Sequence, residues 1–190
     1  MRRITTWMIC AVVLVAAVSL AHAAELNDEL AGAVKKNDAK KVEDLVFSGA
    51  DVNFKAESVG YTPLMYAAYH NAYASAKILV ERGAEVNTQD MTGSTALMIA
   101  SANGSFEMAK FLIEKGADVN RKDSMMGTAL MRAASAGYGK LVRLLLDNGA
   151  DANAVADNGV TALSLAEDGG FSDTISVLKK LDRDKDQNVP

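Results

Sequence analysis

Few side chains in this sequence are equipped for chemistry. Its 2 histidines are His22 and His70, and its single Cys and single Trp, Cys10 and Trp7, fall in the first ten residues. A nucleophile needs an adjacent base, and a metal centre needs several ligands at matched spacing. His70 has no neighbour spaced to complete either set. The methionines are more suggestive. Met65, Met98 and Met131 recur every 33 residues, and thioethers can ligate Cu(I). Helices pack about 8–10 Å apart, however, so three such sulfurs on successive helices cannot share one ion; the spacing predicts packing. Met91, Met125 and Met126 fall instead in turn-like segments, where adaptable thioethers suit a partner surface or an oxidant target. The stretch Asp182 to Asn188 imitates the start of a calcium loop but lacks its central Gly and closing Glu. No glycine loop of the phosphate-cradling kind is present. The expectation is a non-enzyme without catalytic residues, metal or cofactor.

The elements that must position these residues follow one beat. GADVN at Gly49–Asn53, GAEVN at Gly83–Asn87, GADVN at Gly116–Asn120 and GADAN at Gly149–Asn153 are spaced by 34, 33 and 33 residues. Thr62-Pro63-Leu64, Thr95-Ala96-Leu97, Thr128-Ala129-Leu130 and Thr161-Ala162-Leu163 keep a strict period of 33. Two phrases locked to one period describe a stacked array of a single unit. In one copy, Asp90-Met91-Thr92-Gly93 predicts a turn and Thr95 a helix N-cap. Leu97, Ala100 and Ser101 then continue with helical spacing. Gly104 is expected to end this first helix, as are Gly137, Gly170 and Asn71 in the other copies. A second helix presents Phe106, Ala109, Leu112 and Ile113 on one face before Gly116 stops it. The segment Ser124-Met125-Met126-Gly127 shifts its Gly by one, which puts its turn geometry in question.

These residues resemble the ankyrin repeat: a T-P-L-H-x-A start, glycine between helices and an L-L-x-x-G-A-D-V-N ending. The resemblance implies an all-α solenoid of helix-turn-helix units joined by β-turn loops. Five repeats are expected, at about 25–53, 54–87, 88–120, 121–153 and 154–182, followed by a polar tail 183–190. The first and last are read as caps, since Lys41 and Asp44, and Ser172, Thr174 and Lys179, stand at slots that are apolar in inner copies. The family's His slot holds Met65, Met98, Met131 and Ser164, so its hydrogen bonds are expected to be lost. The resemblance also implies that turn tips and first helices contact a partner protein. The residues at those positions are Tyr61, Tyr69, His70, Met91, Thr92, Ser94, Ala102, Asn103, Ser124, Met125, Ser135 and Ala136. Tyr61, Tyr66, Tyr69 and Tyr73 form a further cluster, readable as a binding hot spot or as cover for the N-terminal core.

Arg2-Arg3, an apolar run from Trp7 to Leu20 and Ala21-His22-Ala23 read as a secretory signal peptide, 1–23, cleaved before Ala24. Its loss would leave 167 of 190 residues, with 18 basic against 24 acidic side chains. That negative balance argues against nucleic acid and anionic membrane surfaces as partners. The expectation is an exported, monomeric protein–protein interaction module, periplasmic or else secreted. Two alternatives are a protective or inhibitory accessory subunit of an exported redox enzyme and a methionine-based metal or oxidant buffer.

Overall fold

A computed structural model describes residues 21–186, and within them the architecture is all-α. Residues 1–20, which include the apolar run Trp7 to Leu20, and residues 187–190 lie outside the described residues. The expected cleavage point after Ala23 falls within α1, residues 21–35. The following helices are α2 (Ala39–Phe47), α3 (Pro63–Tyr69), α4 (Tyr73–Glu81), α5 (Ala96–Ala102), α6 (Phe106–Glu114), α7 (Ala129–Ser135), α8 (Gly139–Asp147), α9 (Ala162–Asp168) and α10 (Ser172–Asp186). Odd-numbered helices stack in one layer, α3 on α5 on α7 on α9; even-numbered helices form the second, with α8 between α6 and α10.

The first helices α3, α5, α7 and α9 are short because their ends are fixed. Thr62, Thr95, Thr128 and Thr161 are extended N-caps whose hydroxyls accept from the backbone N–H three residues on, at 3.3, 3.3, 3.3 and 3.2 Å. Asn71, Gly104, Gly137 and Gly170 follow the helices with φ of 51°, 67°, 74° and 67°. That left-handed conformation suits Gly and Asn and reverses the chain into the second helix. Small buried residues such as Ala67, Ala100, Ser101 and Ala133 let the stacked helices approach. Met65, Met98 and Met131 are buried in this stack. The expected loss of hydrogen bonding at their slot needs correction. Thr62 N–H donates to the Met65 thioether at 3.5 Å, and Thr161 N–H to Ser164 Oγ at 2.9 Å. The slot therefore still holds an acceptor in these units, although sulfur is a weak one.

Two expectations about the second helices also change. Met108, Ala109, Phe111 and Leu112 are the buried face of α6, whereas Phe106 is more than a third exposed and Ile113 only half-buried. Phe106 opens the helix, ahead of its first buried residue, Met108. Thr174 is not part of a polar outer face. It is fully buried at the slot of Met108 and Leu141, its hydroxyl without a hydrogen-bond partner among the described residues. Ser172 and Lys179 are exposed, as are Lys41 and Asp44, and Lys41 pairs with Glu29 at 3.0 Å.

The recurring GADVN phrase is a clamp between units. Asn53 Nδ2 donates to Gly83 O at 3.1 Å, and its Oδ1 accepts from Glu85 N at 2.8 Å. Asn87 does the same to Gly116 O and Asp118 N at 2.9 and 2.8 Å. Asn120 holds Gly149 O and Asp151 N at 2.9 and 2.8 Å. Upstream, Asn27 in α1 supplies half of this clamp, accepting from Asp51 N at 2.8 Å. The turn tips are also joined by backbone bonds, from Met91 N to Val59 O, Ser124 N to Thr92 O and Asp157 N to Met125 O, at 3.3, 2.9 and 3.2 Å. The shifted glycine does not alter the turn. Met126 adopts φ 61° where Gly93 and Gly159 have 78° and 80°.

Candidate functional site

Residues just before the first helices and at their ends meet around a hollow on the first-helix face. Tyr61, Tyr69, Thr92, Ser94, Ala102 and Asn103 enclose about 290 Å³ together with Met98, Ile99 and Arg132. Tyr61 and Ser94 immediately precede the caps Thr62 and Thr95; Tyr69 and Ala102 close α3 and α5. The tight caps thus bring side chains from three successive units to one place. Asp90 orders the polar wall. Its Oδ1 accepts from Thr92 N at 2.8 Å, Thr92 Oγ1 at 2.7 Å and Ser94 N at 2.9 Å. Across the hollow, Asn103 Nδ2 donates to Tyr69 O at 3.1 Å. Tyr61 meets Tyr66 edge-on, with ring centroids 5.4 Å apart, and Lys35 Nζ lies 4.4 Å from the Tyr66 centroid. Burial, then the Asp90 charge and the neighbouring phenols of Tyr69 and Tyr66, raise the Tyr61 pKa above its ordinary value. Its hydroxyl therefore stays a neutral donor at physiological pH.

Arg132 was not among the residues singled out from the sequence. Its signal was present: it occupies the period-33 slot of Tyr66, Ile99 and Leu165, where a charge is out of pattern. Its Nη2 donates to Asp123 Oδ2 at 2.6 Å, while nearly half of the Arg132 side chain stays exposed. Asp123 also accepts from Met125 N and Gly127 N at 2.9 and 2.8 Å. Burial pushes this carboxyl up, but the Arg132 hydrogen bond, the two backbone bonds and the Arg132 charge outweigh it and hold the pKa below the usual value.

The other residues expected at the site lie around the hollow rather than in it. His70 is exposed and packs edge-on against Tyr69 at 5.1 Å. Met91 and Met125 are 68% and 64% exposed on adjoining turn tips, with Ser124 exposed beside them. Ser135 is exposed at the end of α7, its Oγ donating to Arg132 O at 3.0 Å, and Ala136 is half-buried. The tyrosine cluster divides. Tyr73 opens α4 in the second layer and packs on Phe111 at 5.5 Å, away from Tyr61 and Tyr66.

The family model for ankyrin repeats (three copies) matches residues 30–123 and again 125–189. The chain belongs to the ankyrin-repeat family. Ankyrin repeats generally mediate protein–protein interaction, and here the hollow sits where hairpin tips and first helices of three ankyrin units converge. No curated protein matches the sequence. Among the described residues, no group of three or more His, Cys, Asp or Glu side chains could hold a metal ion, and no helix is long and apolar enough to cross a membrane.

Proposed function

We propose that this ankyrin-repeat chain is an exported, non-catalytic adaptor or modulator that binds a partner protein through its first-helix face. The observation that carries this reading is the hollow itself. Six residues expected to touch a partner converge on one concavity, which combines aromatic rings, fixed hydroxyls and the half-exposed Arg132 side chain paired with Asp123. Aromatic and Arg side chains dominate the energetics of protein interfaces. The signal-like residues 1–23 support export to the periplasm, with cleavage before Ala24. Mass spectrometry of the mature N-terminus tests that step, and an intact Met1 would refute it.

Asn103 lines the hollow and Met91 is largely exposed on the neighbouring tip. Replacing both with Arg is expected to abolish capture of partner protein from periplasmic extract, while circular dichroism and the melting temperature stay nearly unchanged. Undiminished capture would overturn the assignment. So would loss of capture only on charge reversal of Glu107 and Lys110, which are exposed on α6 in the other layer.

A further inference from the structure

Two departures from the repeat pattern are complementary. At the first position of the second helices, Tyr73 and Phe106 are aromatic in α4 and α6, while Ala39 and Ser172 open α2 and α10; Tyr73 covers Phe111 of the next unit with ring centroids 5.5 Å apart. The same position in α8 is Gly139. The side chain missing there leaves a groove of about 510 Å³ whose apolar floor is Phe106, Leu144 and Val177, with Lys140, Arg143, Asp147 and Asp173 on its rim. Conversely, the last position of the nine-residue second helices is charged in Glu81, Glu114 and Asp147 but aromatic in α2. That residue, Phe47, is 87% exposed. One unit thus carries an aromatic side chain that no described residue covers, and another lacks the aromatic that would cover its floor.

We propose that the Gly139 groove receives Phe47 of a second copy of this chain. Charge supports this occupant. Asp44 and Lys40 are exposed at three and seven residues before Phe47, on the same helical face. An inserted Phe47 brings these opposite charges to a rim that also carries both signs, Arg143 and Lys140 against Asp147 and Asp173. Knob and groove are different patches, so the contact is heterologous and leaves one of each unused at the ends of a chain of copies. A contact built around one aromatic is far smaller than a standard interface, so association is weak and depends on concentration.

The test is sedimentation velocity, over a concentration series, of the protein purified in the form the cell makes. The average mass is expected to rise with concentration. Phe47→Ser, an exposed site, removes the knob. Gly139→Tyr fills the groove; a Cβ there meets Thr174 only at 3.5 Å, ordinary contact distance, and an unchanged circular dichroism spectrum and melting temperature check that the variant folds. Each variant alone is expected to remain monomeric at all concentrations. An equimolar mixture of the two keeps one intact knob and one intact groove and is expected to associate again, stopping at a dimer. A wild-type protein that stays monomeric at millimolar concentration overturns the proposal. So does association of either single variant, or failure of the mixture to associate.

Discussion

Asp123 is the only charged side chain among the buried described residues, and it organises both a turn and Arg132. Removing it leaves two backbone N–H groups and a guanidinium without their acceptor. Asp123→Ala is therefore expected to lower stability at pH 7 by about 2 kcal/mol, the scale of hydrogen bonds to charged groups. Because the folded-state pKa is depressed, this contribution is complete above the unfolded carboxylate value of about 4 and fades as pH falls through the lower folded value. Urea midpoints of the two proteins should differ at pH 7 and converge as pH drops below about 4; a constant gap would refute the assignment. Met126 offers the opposite case. A left-handed non-Gly residue costs about 1–2 kcal/mol, part of which Gly returns as unfolded-state entropy. Met126→Gly is expected to raise unfolding free energy by about 0.5 kcal/mol, measured in the same titration. The turn was legible in the sequence but its exception was not. The shifted Gly127 drew attention, whereas the strain falls on Met126, because backbone position follows the period and not the nearest glycine.

The helix ends were the most legible elements. Thr caps and Asn or Gly stops act within a few residues, so local chemistry suffices to read them. Burial on the second helices was less legible. Those of the inner units run only nine residues, and a face read from so few turns can rotate, as it did from Phe106 towards Met108 and Phe111. The clamp asparagines were visible as a motif, but their purpose was not, since each partner lies in the next unit. That purpose gives a sharp contrast between chemically identical sites. Asn87→Ala breaks two inter-unit bonds and is expected to cost about 1–3 kcal/mol, at roughly 0.5–1.5 kcal/mol per bond. Asn153 holds the same phrase position but makes no clamp among the described residues, where α10 continues to Asp186. Asn153→Ala is expected to change stability by less than about 0.5 kcal/mol in denaturant unfolding. Equal costs at the two sites would refute the clamp as a major source of inter-unit coupling.

Across the whole molecule, stability depends on interfaces between units that bury little alone. Leu112 is fully buried at the centre of the array. Leu112→Ala is expected to cost about 2–5 kcal/mol and to shift one cooperative transition rather than create a second. A loss below about 0.5 kcal/mol, or two separate transitions, would contradict this coupling. The solenoid as a whole was legible because the period repeats. The hollow was only partly so: its rim residues could be placed on the first-helix face, but Met98, Ile99 and Arg132 join it through stacking of three units. The clamp also sets an order in time. Asn87 and Asn120 close on backbone 29 and 31 residues downstream, and Asn53 on backbone 30 and 32 residues downstream. On a ribosome, a unit stays unlatched until its successor has emerged. The growing chain then carries one open end at any moment, and each new latch secures the units already behind it.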